Sequence, residues 1–270
     1  LLKPWEAAIC PDSGHLNGHE VGAFEATGHK ILPVPVGGDG KITPEMLPPL
    51  LALHQNPHLT KPGLVYISNA TENGAVYTKA ELTALYAFCR ENGLLLFVDG
   101  ARLGAALTSK ANDLTLPEFA RLCDAFYIGG TKCGALCGEA VVFTHGNMPK
   151  QFVTMVKRRG AMIAKGRLNA LQFDALFTDG LYEKICAPAV KLAIKLRDGL
   201  KAKGYRFALE SPTNQQFIIF PQAMYDELSK QFALAPWEYM DDGRIAARIC
   251  TSWATDPTQV DRLCNMIKAL

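Results

Sequence analysis

The chain has no apolar stretch approaching the roughly 20 residues that cross a bilayer as a helix, and Leu1 to Cys10 lack the apolar centre of a signal peptide. Neither charge is in excess: 28 Lys and Arg stand against 26 Asp and Glu, and their scatter leaves no electrostatic footprint for nucleic acid. The one dense basic run, Lys157, Arg158 and Arg159, reads as a solvated helix face. Eight cysteines occur without the paired short spacings of zinc sites or small disulfide frameworks. Cys133 and Cys137 are near one another, but two sulfurs do not complete a four-coordinate site, so no metal is expected. Cys10, Cys89, Cys123, Cys186, Cys250 and Cys264 lie in apolar segments and read as buried thiols of a reducing compartment. Internal repeats and low-complexity tracts are also lacking. Together these absences point to a soluble, cytoplasmic, globular protein with neither a nucleic-acid nor a membrane partner.

What is present is 49% hydrophobic content over 270 residues, enough for a sizeable core in about one or two domains. From Glu6 to Phe143 short apolar runs alternate with helical patterns, the rhythm of strand and helix units stacked into a parallel sheet. The strand candidates are EAAIC, HKILPVP, GLVYIS, LLLFVD, DAFYIG and EAVVF. TPEMLPPLLALHQ reads as a helix with Thr43 as cap and Pro44 in the first turn. In TKAELTALYAFCREN, Thr78 and Glu81 form a capping box, Leu82, Leu85 and Phe88 or Cys89 share a face, and Gly93 ends the helix. A helical stretch from Met148, the segment GAMIAKG and long amphipathic helices through Leu200 then connect to TNQQFIIFP, IAARICTSW and DPTQVDRLCNMIKAL, two strands and a closing helix. The expected division is a large domain over residues 1–175 and a smaller α+β domain over 176–270.

Two strand ends carry the chemistry. Asp99 closes LLLFVD at the sheet edge where open α/β sheets bind ligands, and Gly100 lets the chain turn sharply before Arg102. An isolated DGAR also fits an Asp capping the next helix with Arg as its partner. The following strand ends in Gly129, Gly130, Thr131 and Lys132, which sets Lys132 beside Asp99. Alone, that lysine is also compatible with phosphate binding, although the Walker spacing is missing. As a pair, a strand-end carboxylate and amine are what a pyridoxal cofactor needs, one for its pyridinium nitrogen and one for its aldehyde carbon.

The runs DSGHLNGHEVGAFEATGHK, YISNATENGAVYTKAEL, VDGARLGAALTSKANDLTLPEFARLCDAFYIGGTK and ARICTSWAT together resemble the threonine aldolase group of β-eliminating lyases, which are fold type I pyridoxal phosphate enzymes. The resemblance implies a mostly parallel α/β large domain, a small α+β domain and a homodimer or homotetramer. It implies pyridoxal 5′-phosphate joined to Lys132 as a Schiff base, Asp99 at the ring nitrogen, His15 stacked on the ring, and Thr131 and Arg102 beside the cofactor. Arg248 and Arg102 match arginines that hold the substrate carboxylate. Glu72, or Thr71, stands where many threonine aldolases carry a histidine that handles the β-hydroxyl. The implied reaction is aldol cleavage of threonine or allo-threonine to glycine and an aldehyde. β-Elimination by the same cofactor is the alternative, and a non-catalytic oligomer partner is the alternative of another class. His19 and Asn214 are expected to be structural, and Lys165 to lend a cation near the site, across a dimer interface. The family's phosphate-cupping turn is expected upstream of Leu1, and its absence, with that of an initiator Met, implies either a chain shortened at its start or one that holds the cofactor weakly.

Overall fold

The computed structural model describes residues 1–268. Strands β1 (Glu6–Pro11), β2 (Ile31–Val34), β3 (Lys61–Ser68), β4 (Leu95–Asp99), β5 (Ala125–Gly129) and β6 (Glu139–Phe143) form a six-stranded sheet in the order β2-β1-β3-β4-β5-β6. The pairings from β2 through β5 are parallel. Central β1 reads AAIC because both its faces are covered: Ala7, Ala8, Ile9 and Cys10 are wholly buried. β6 alone runs antiparallel, against β5. Residues 130–138 are too few for the crossover of about a dozen residues that a parallel return needs.

The helix Lys79–Glu91 carries the anticipated capping box of Thr78 and Glu81. Its buried stripe is Leu82, Leu85 and Cys89, with Phe88 only partly covered, and Gly93 follows with φ +67°. The single helix expected from Thr43 is instead a 3-10 turn, Pro44–Met46, and a separate helix, Pro48–Leu53. Pro48 has no N–H to continue the ladder, and Thr43 makes no side-chain cap. Lys157, Arg158 and Arg159 are exposed at the end of the helix Phe152–Arg158.

A second, antiparallel sheet has the order β7-β8-β10-β9, built from β7 (Phe207–Leu209), β8 (Gln215–Pro221), β9 (Ala235–Tyr239) and β10 (Arg244–Cys250). β7 and β9 were not anticipated: they are short edge strands whose side chains are at most half-buried, so they carry no clean alternation. One face of the sheet buries Ile218, Phe220, Ile245, Ala247 and Ile249 against Leu196, Leu200, Val260 and Leu263. The closing helix runs Pro257–Met266, and the last two residues of its predicted stretch lie outside the described residues. The helix Leu181–Ala202 serves both cores: Tyr182 and Cys186 pack with the large sheet, Leu196 and Leu200 with the small one. Cys250, read as a buried thiol, is exposed, and Cys264 is half-buried; Cys250 ends β10 on the face turned from the small core. No helix among the described residues is long and apolar enough to cross a membrane.

Thr78→Ala removes the acceptor for the Glu81 N–H, and we expect it to cost about 1 kcal/mol of stability. A lower urea midpoint with an unchanged slope checks this.

Candidate active site

The carboxyl ends of the parallel strands converge on one cavity of about 260 Å³. His15 arrives after β1, Glu72 after β3, Asp99 at the end of β4 with Arg102 beyond it, and Lys132 after β5; all five line the cavity. Two glycines permit this convergence. The Gly129 N–H donates to the Gly100 carbonyl at 2.9 Å. A Cβ on Gly100 would strike the Tyr127 carbonyl oxygen, and one on Gly129 the Ala101 carbonyl. Only glycine fits where the two chains cross.

Asp99 is buried and fixed at both oxygens. The Tyr66 hydroxyl donates to Oδ2 and the Ala101 N–H to Oδ1, each at 2.8 Å. Burial first, and then the neighbouring Asp99, push the Tyr66 and Tyr127 phenols far above the usual tyrosine range, so both remain neutral hydrogen-bond donors. Lys132 is exposed as a residue but hemmed in at the pocket. Desolvation, and after it the Arg102 guanidinium, hold its amine below the usual lysine range against the opposing pull of Asp99, Glu72 and Glu139. Glu139 accepts from the Gly130 N–H at 2.9 Å and from the Thr131 hydroxyl at 3.4 Å, clasping the turn that presents Lys132. Burial raises the Glu139 carboxyl above the usual range.

Glu72 is buried and accepts from the Ser68 hydroxyl at 3.2 Å. His15 pairs through Nδ1 with Glu20 at 2.6 Å, its ring 5.1 Å from that of His19. Thr131 lines an adjoining cavity with Arg102, Lys132, Asn214 and Cys250. Arg248 lines neither cavity: it packs over Trp237 at 5.4 Å on the same face of the small sheet as Cys250, with a buried Nε that has no partner. Lys165 sits in the loop before the helix Arg167–Phe177 and lines neither cavity. Tyr66, Tyr127, Glu20 and Glu139 were missed. The register that sets Ser68 opposite Asp99 brings Tyr66 within reach of the carboxylate, and strand pairing of that kind carries no motif.

The donor set fits the ring and aldehyde ends of pyridoxal phosphate: a fixed carboxylate and an amine with a depressed pKa share one pocket. Its described walls carry Glu20, Glu72, Asp99 and Glu139 against Arg102, Lys132 and His15, a balance unsuited to the phosphate end.

A family model described as β-eliminating lyase matches residues 1–222. A low specificity L-threonine aldolase from a Pseudomonas species is 30% identical over 275 residues, covering 100% of this chain and 78% of that protein. A solved structure of Leishmania major threonine aldolase superposes with a TM-score of 0.95 at 44% identity, covering 98% of this chain and 77% of that one. Sphingomonas wittichii serine palmitoyltransferase, at 14% identity and a TM-score of 0.67 over 97% of this chain and 65% of that one, shares the fold.

A lowered pKa leaves more of the Lys132 amine neutral at a given pH than in a solvated lysine. We expect an amine-directed reagent, followed by peptide mass spectrometry, to label Lys132 at a lower half-reaction pH than the chain's other exposed lysines.

Proposed function

The chain belongs to the β-eliminating lyase family of pyridoxal phosphate-dependent lyases, and we propose that it cleaves a β-hydroxy-α-amino acid, threonine or allo-threonine, to glycine and an aldehyde. The observation that carries this reading is the shared pocket of Asp99 and Lys132, in a chain whose relatives at 30% and 44% identity are named threonine aldolases. Lys132 would hold the cofactor's aldehyde carbon, Asp99 its pyridine nitrogen and His15 its ring face, with Arg102 and Thr131 alongside. When bound, pyridoxal phosphate supplies an electron-withdrawing ring that takes up the electron pair released at Cα.

The protein's own groups then have separable tasks. Tyr66 and the Ala101 N–H fix the direction of Asp99, so no reorganisation is needed there during reaction. Arg102 holds the substrate carboxylate and thereby the direction of the Cα–Cβ bond, and Arg248, which lines neither cavity, would share that task only after swinging away from Trp237. Glu72, buried beside Ser68, takes the proton of the β-hydroxyl as that bond breaks and the aldehyde leaves. A proton delivered to Cα completes glycine, and Lys132 is the amine that lines the pocket for that delivery. The second reading is β-elimination, favoured by a carboxylate at position 72 where many threonine aldolases carry histidine. The exposed apolar side chains Val153, Met155, Met162, Ile163, Leu168 and Leu171 support a homo-oligomer.

The test adds pyridoxal phosphate to the full chain. A yellow species trapped by borohydride on Lys132, with glycine and acetaldehyde formed from threonine, is the expected result. Pyruvate and ammonia from serine would favour elimination, and a label on another lysine would overturn the assignment. Lys132→Ala is expected to abolish both colour and turnover, and Asp99→Asn to lower kcat by at least about a hundredfold.

A further inference from the structure

Asn214 precedes β8 and is nine-tenths buried. Its side chain is pinned: Nδ2 donates to the Thr251 carbonyl at 2.7 Å, and the Thr251 N–H donates to the Asn214 carbonyl at 3.0 Å. Thr251 is itself anchored, its hydroxyl donating to the Ala189 carbonyl at 2.6 Å in the helix Leu181–Ala202. The amide cannot turn over, because that would bring its oxygen against the Thr251 carbonyl. Oδ1 therefore points the other way, buried and without a hydrogen-bond partner. A buried acceptor left unsatisfied is costly, and calls for a donor.

Asn214 lines two further cavities, and the walls of both also include Arg102 and Lys132. In the more enclosed one, the remaining walls are Ala105, Cys133, Cys186 and Ala189, so Arg102 and Lys132 bring its only other side-chain N–H donors. Lys132 is faced by three carboxylates, Asp99, Glu72 and Glu139. Arg102 is permanently charged, and among the described residues only its backbone is engaged, its carbonyl accepting from the Ala106 N–H at 3.0 Å. An orphaned acceptor and an orphaned fork of donors thus share the same walls.

We propose that Asn214 is the positioning residue for Arg102: the two groups are not bonded in the structure described, and a swing of the guanidinium within their shared cavity brings one N–H to Oδ1 and turns the opposite edge of the planar fork toward the pocket. The small sheet in this way sets the direction of a cation that belongs to the large sheet. That the presented edge receives a substrate carboxylate rests on the proposed function; the contact between Asn214 and Arg102 does not.

The experiment follows modification of each arginine of the full chain by phenylglyoxal, with peptide mass spectrometry, in wild type, Asn214→Leu and Asn214→Asp. Removing a hydrogen bond to a charged group should speed modification of Arg102 about tenfold in Asn214→Leu, while the other arginines keep their rates and report an intact fold. In Asn214→Asp the added carboxylate should slow Arg102 below wild type. Equal Arg102 rates in all three proteins overturn the proposal. Should Asn214→Leu unfold, seen as all arginines gaining reactivity together, Asn214→Asp decides alone: slowing at Arg102 supports the contact and an unchanged rate overturns it. No turnover is measured, so failure here is distinct from failure of the aldolase reading.

Discussion

At the carboxyl ends of β4 and β5 the backbone runs so close that the Gly129 N–H reaches the Gly100 carbonyl, and a side chain at either position would collide with a carbonyl oxygen. That crossing fixes the separation between Asp99, one residue before the first glycine, and Lys132, three residues after the second. The other polar groups are arranged around this pair. Tyr66 reaches across from β3 to hold the carboxylate, and Glu139 reaches back from β6 to hold the turn that carries the lysine. The antiparallel return of β6 is thus more than an edge: it places Glu139 opposite Gly129.

The pocket's charges are unevenly matched, with carboxylates outnumbering cations. At about 4 Å a unit pair is worth about 1 kcal/mol in water and about 4 at an effective dielectric of 20, so these groups set one another's protonation strongly only where the walls exclude water. Lys132 shows the balance: desolvation and Arg102 push its pKa down while three carboxylates pull it up, and the downward influences win. An amine so placed gives up its proton more readily than a solvated lysine while keeping its anionic neighbours.

The strands of the large sheet were legible because both faces are buried and near-continuous apolar runs announce that burial, as in EAAIC and LLLFVD. Asp99 and Lys132 were legible for a related reason: each follows such a run at a glycine turn, on the sheet edge where ligands bind. Direction was harder, since the antiparallel sense of β6 depends on the length of a connection and not on side-chain pattern. The helix expected from Thr43 failed on two successive missing donors, at Pro48 and Pro49. Tyr66, Tyr127 and Glu139 stayed hidden because register, which no short motif encodes, brings them to the pocket. Asn214, expected to be structural, is that through its amide nitrogen, but its buried oxygen has no structural partner.

The helix Leu181–Ala202 has a consequence for how the molecule comes apart. Tyr182 and Cys186 fill one core and Leu196 and Leu200 the other, along a single helix that continues past Pro188. Neither sheet can be stripped from its half of that helix without exposing apolar surface that the remaining half must then carry in water. The two sheets are therefore cooperative partners in melting as well as neighbours, and a ligand gripping only the large sheet would lend heat resistance to the small one.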